Sequence, residues 1–151
     1  MRAAFAAAAL LAGCATLQDS VPPPPAPVEE PAARPLPAPS ETSANVAVIG
    51  LVQTARVDST SGRLANAGAT LERALRIEPR NPRLWQELAR VRLKQGEFAQ
   101  AESVAARSNA WAGSDAALRA ENWRLIAEAR EARGDSPGAR AALETAAQLG
   151  R

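Results

Sequence analysis

Apolar and polar positions divide the 151-residue chain into three stretches that follow different rules. The first, Ala3 to Ala12, is an apolar run behind Arg2 that ends at Gly13-Cys14. It is too short to span a bilayer, which needs roughly 20 apolar residues. The second, residues 15–43, shows no period and holds nine of the twelve prolines. The third, residues 44–151, is periodic. Leu84, Trp85, Leu88, Val91 and Leu93 recur at three- and four-residue spacings, as do Leu71, Leu75 and Ile77. That spacing puts the apolar side chains on one face of a helix. Strict alternation of β-branched residues is missing, so strands are not expected.

Punctuation residues divide the periodic stretch. Gly62, Gly96 and Gly134 each follow a run of helix formers and suit the position just past a helix end, where the backbone turns to positive φ. Asn81-Pro82 and Ser136-Pro137 read as an N-cap followed by a proline at the first helical position. Together these marks predict helices over about 44–60, 63–77, 82–95, 97–110, 115–133 and 136–149. The first two glycines are 34 residues apart and the last two 38. The four additional residues equal about one helical turn, which we place in a longer helix over 115–133.

The same glycines mark an internal repeat. Ala67, Ala101 and Ala139 each lie five residues after one of them. Trp85 and Trp123 lie eleven residues before Gly96 and Gly134, and Leu51 holds that place before Gly62. Small residues at Ala55, Ala89 and Ala127 follow four positions later, and Pro79 closes the first unit where Gly113 closes the second. This pattern resembles the tetratricopeptide repeat, a helix–turn–helix unit of about 34 residues. The resemblance implies an all-α solenoid of about three repeats, near 48–81, 82–119 and 120–151, occupying a domain of residues 44–151. Trp85, Trp123, Gly62, Gly96, Gly134, Ala67, Ala101 and Ala139 are then its structural positions.

In this family the first helix of each pair lines a groove that binds protein partners. Carried over by resemblance, the groove positions are Ile49, Val52, Arg56 and Ser59 from the first repeat. Arg83, Gln86, Arg90, Leu93 and Lys94 come from the second, and Glu121, Arg124, Glu128 and Glu131 from the third. Arg56, Arg83, Arg90, Lys94 and Arg124 make the middle of that surface basic. Arginine forks match carboxylates, so an acidic segment or a C-terminal carboxylate is the partner chemistry the groove would suit. The plainer reading pairs these arginines with Glu87, Glu128 and Glu131 as ordinary surface. The asparagine-and-lysine arrangement of the family's carboxylate-clamp chaperone binders is missing, and that activity is not transferred. Trp111, in NAWAGSD at the end of the second repeat, reads either as a buried junction residue or as an exposed anchor for a partner.

Composition explains the first two stretches. The chain has no histidine, no tyrosine and one cysteine, Cys14. Arg2, the short apolar run and the small residues at its end describe an export signal over residues 1–13. Leu11-Ala12-Gly13-Cys14 resembles the lipobox of bacterial lipoproteins, which implies that Cys14 is acylated, palmitate included, and becomes the mature N-terminus. One acyl chain holds a membrane only marginally, whereas two or three anchor stably. Ala15 after the cysteine, by resemblance to enterobacterial sorting, implies the outer membrane, with the domain facing the periplasm. Residues 14–43 then form a lipid-attached, disordered, proline-rich tether reaching up to roughly 90 Å as polyproline II.

Charge and chemistry limit the function further. Residues 44–151 hold sixteen Lys+Arg against twelve Asp+Glu, a net +4, while 15–43 carries a net −3. So small an excess without a basic cluster or motif excludes nucleic acid. Without histidine, with the lone thiol acylated and with no phosphate loop or carboxylate cluster of metal-binding spacing, no enzyme, cofactor or metal site is expected. Ser59, Ser61, Ser103, Ser108, Ser114 and Ser136 fall mostly at helix ends, where capping accounts for them. The expected function is a membrane-anchored interaction module, an adaptor or assembly factor of the cell envelope. A pilotin-like factor for type IV pilus or secretin assembly, an adaptor for cell-wall enzymes, and a structural protein that self-associates through its uncapped last helix are the alternatives.

Overall fold

The computed structural model describes residues 41–151, with side chains from Asn45 onward. The apolar N-terminal run, Cys14 and the tether up to residue 40 lie outside the described residues. Six helices follow in order: α1 (Glu41–Thr60), α2 (Leu64–Ile77), α3 (Pro82–Lys94), α4 (Phe98–Trp111), α5 (Ala116–Ala132) and α6 (Ser136–Leu149). Five of them lie within one residue of the predicted bounds at each end. The first is helical from Glu41, the first described residue, three residues before the predicted start. The long third-repeat helix is present: α5 has 17 residues where α3 has 13.

The helix stops have one mechanism. Gly62, Gly96 and Gly134 have φ of 76°, 77° and 82°. In each case the next residue's N–H reaches back to a carbonyl of the last turn: Arg63 to Asp58 at 2.8 Å, Glu97 to Arg92 at 2.9 Å and Asp135 to Arg130 at 2.9 Å. This is the glycine-dependent Schellman closure. Starts are less uniform. Asn81 caps α3, accepting from the Arg83 N–H at 3.0 Å, with Pro82 at the first helical position. The cap of α6 is Asp135 rather than Ser136: its carboxylate accepts from the Gly138 N–H at 2.9 Å. Ser136 becomes the first helical residue and donates to Glu131 at 2.9 Å. Asp135 wins because an anionic oxygen serves both the free N–H groups and the positive end of the helix dipole.

Helices pack in sequential pairs, α1 on α2, α3 on α4 and α5 on α6, with α2 and α4 each touching the first helix of the next pair. Alanines set the closeness: Ala67, Ala89, Ala101 and Ala105 are fully buried, and Ala55, Ala127 and Ala139 nearly so. Two cores result. The first, between α1, α2 and α3, is built of large side chains, among them Leu71, Leu75, Leu84, Leu88 and Val91. In the second, across α3 to α6, Ile126 is the one large buried side chain among Ala89, Ala105, Ala127, Ala139 and Ala142. At equivalent places four residues before a glycine, Arg92 and Arg130 reach back to the preceding pair. Arg92 meets Glu72 on α2 at 2.5 Å, and Arg130 meets Glu102 on α4 at 2.7 Å.

Candidate functional site

The first helices of the three pairs, α1, α3 and α5, line one face of the stack, and two adjoining hollows open there. One, of about 450 Å³, has Val52, Leu71, Val91, Leu93 and Leu125 as its apolar lining. The other, of about 520 Å³, lies between α1 and α3 toward the Asn81 turn. Val52, Arg56, Glu87 and Arg90 border both. These four residues are therefore the centre of the face.

The groove cations are largely paired. Arg56 bonds Glu87 at 2.7 Å, Arg83 bonds Asp115 at 3.1 Å and Arg90 bonds Glu121 at 3.0 Å. Lys94 donates to the Ser59 hydroxyl at 3.0 Å. Lys94 and Arg124 have no carboxylate within ion-pair distance among the described residues. Each arginine rung joins the first helix of one pair to the start or body of the first helix of the next pair, 31 or 32 residues on. Glu87 is thus one partner, as the plainer reading has it, while Asp115 and Glu121 take the places given there to Glu128 and Glu131. Glu128 borders the smaller hollow without an arginine partner, and Glu131 accepts from Ser136. The surface is one of mixed charge over an apolar floor. Its ion pairs are exposed, with Arg56 and Arg90 side chains 56% and 45% accessible. Such pairs contribute about 0–1 kcal/mol each, so an incoming group can exchange for one partner at little cost.

Gln86 does not sit as open groove. It is buried and joins a polar seam between the second and third repeats. Its amide donates to Glu121 and to Asn122 Oδ1, both at 3.1 Å. Asn122 in turn donates to Ser108 at 2.7 Å and Asn109 at 2.9 Å, and Ser108 donates to the Pro82 carbonyl at 2.8 Å. Ser108 is therefore a buried seam residue, not a helix cap. Sequence reasoning missed this seam, although a signal existed. Asn122 occupies the repeat position of Leu84, and Ser108 that of Ala74 and Ala146. Two polar residues at core places of a repeat point to a partnership. Trp111 is 44% exposed, which rules out the buried-junction reading.

Residues 60–121 match the family model described as tetratricopeptide repeat. The solved structure of the globular C-terminal domain of P. aeruginosa LpoP is similar to this chain, 49% identical with a TM-score of 0.65. The similarity covers 66% of this chain and 94% of that one. No curated protein matches the chain.

Proposed function

The chain belongs to the tetratricopeptide-repeat family, and from that premise we propose that it is a lipid-anchored adaptor of the bacterial cell envelope. Tetratricopeptide folds are in general non-catalytic protein-interaction modules. In our reading the α1–α3–α5 groove takes a segment of a protein partner, with a cell-wall enzyme as the fitting class. The observation that carries this is the pair of hollows meeting at Val52, Arg56, Glu87 and Arg90. Apolar side chains of the segment would fill the hollows. A carboxylate on it would exchange with Glu87 or Glu121 for the forks of Arg56 and Arg90, with Arg83, Gln86, Lys94 and Arg124 around them.

The double substitution Arg83→Glu/Arg90→Glu tests the groove. These side chains are exposed, so the helical circular dichroism should be unchanged. Recovery of the cross-linked envelope partner should fall about tenfold or more, the loss of one or two charged contacts. Unchanged recovery ends the groove reading.

The anchor rests on different support: Leu11-Ala12-Gly13-Cys14 and the place of the domain at the C-terminal side of the chain, as in LpoP by its title. Among the described residues no helix is long and apolar enough to cross a membrane. We expect radiolabelled palmitate to enter the wild-type chain and to be absent from Cys14→Ser, which should also leave the outer-membrane fraction. Wild-type chain without label refutes acylation. Self-association remains a second reading because Leu143 on the last helix is 50% exposed. Sedimentation of the Cys14→Ser chain as a monomer removes it.

A further inference from the structure

Part of the uncompensated positive charge lies outside the groove positions, at the turn between α2 and α3 and the end of α4. Arg80 and Arg107 are exposed there, with no carboxylate within ion-pair distance among the described residues. Both lie over indoles. The Arg80 guanidinium is 5.3 Å from the centre of the Trp111 ring, and that of Arg107 is 4.9 Å from the Trp85 ring. The Trp85 indole N–H donates to the Pro79 carbonyl at 2.8 Å, which ties this pair to the turn that carries Arg80. Ile77, at the end of α2, is 40% exposed beside the turn, and Trp111 is 44% exposed. The nearest acid in the turn, Glu78, accepts from the Asn81 side chain at 2.7 Å.

We propose that this basic and aromatic patch is a second docking surface, distinct from the groove, for an acidic protein segment that also presents an apolar side chain. Charge complementarity selects the occupant. Stacking on an indole restrains a guanidinium while leaving its N–H edge for a carboxylate, and a planar fork binds a carboxylate in two places. Exposed Trp and Arg together are the residue types that carry most of the energy at protein interfaces. An anionic membrane suits the patch less well. Headgroups draw on spread, mobile cations, at about 1 kcal/mol each, and Trp111 has one face covered by Arg80 rather than free to insert.

The test uses the full chain with Cys14→Ser and a fluorescein-labelled peptide of four glutamates around one leucine, read by anisotropy. Saturable binding is expected, absent for the same peptide with glutamines. Arg80→Glu and Trp111→Ala should each weaken it about tenfold or more, as removal of an interface anchor does. Arg140→Glu, which changes an exposed cation of α6 outside both surfaces, should leave it unchanged. Arg80→Glu alters only an exposed side chain, so it decides the matter even if Trp111→Ala fails to fold. No binding, equal binding by Arg80→Glu, or a response to phosphatidylglycerol vesicles in place of the peptide overturns the proposal. The groove has its own test, the Arg83→Glu/Arg90→Glu variant on α3.

Discussion

Replacing Ile126 with alanine is expected to lower the stability of the domain by about 2–5 kcal/mol, in the upper half of that range. The range covers lost transfer free energy and the cavity left behind, and the neighbours decide how much of the cavity persists. Around Ile126 the buried partners are Ala89, Ala105, Ala127, Ala139 and Ala142. An alanine has no rotamer with which to fill a gap, which leaves closure to a backbone shift or to the partly buried Val104, Trp123 and Leu125 at the edge of the cluster. Leu71→Ala in the first core should cost less, because Leu75, Leu84, Leu88 and Val91 can change rotamer toward the space. Whole domains are stable by only about 5–15 kcal/mol, so Ile126→Ala should leave a marginal protein. Urea denaturation of the full chain followed by circular dichroism checks both: the midpoint should drop more for Ile126→Ala, at unchanged slope. A smaller loss for Ile126→Ala than for Leu71→Ala would mean the alanine core relaxes, contrary to its packing.

The same contrast explains what the chain discloses before its structure is known. Helix bounds are legible because glycine and proline act locally. A positive φ at Gly96 or a missing N–H at Pro82 constrains the backbone whatever surrounds it. The offset of α5 is legible too, since four residues between repeated marks have to go somewhere. The cap of α6 is not legible, because Asp135 and Ser136 are adjacent and both good caps, and the proline that follows selects neither alone. Groove electrostatics are harder. Arg56 and Arg90 are visible as cations, but Glu87 and Glu121 lie 31 residues away, and only repeat-on-repeat stacking brings them together. Counting charges along one face therefore overstates how basic it is. Arg80 and Arg107 show the converse. They lie outside the positions that resemblance assigns to binding, yet among the described residues no acid pairs with them.

Asn122→Leu is the second large effect expected, at about 2–4 kcal/mol, because it strands several polar groups at about 1–3 kcal/mol for each left unpaired. Asn122 is fully buried; its amide accepts from Gln86 and donates to Ser108 and Asn109. After the substitution Gln86 retains only Glu121, the Asn109 carbonyl loses its donor, and Ser108 keeps only its bond to the Pro82 carbonyl. The Asn109 amide nitrogen is already buried without a partner, so the seam has little tolerance for further loss. Non-additivity distinguishes a network from a volume change. If the seam acts as a unit, Gln86→Leu/Asn122→Leu should cost less than the two single changes together, by about 1 kcal/mol. Strict additivity would mean that the residues act separately. The consequence reaches the groove, because the seam fixes α5 against α3 and so sets where Glu121, Arg124 and Glu128 stand relative to Arg90. Asn122→Leu should therefore weaken partner recovery even at temperatures where the chain remains folded.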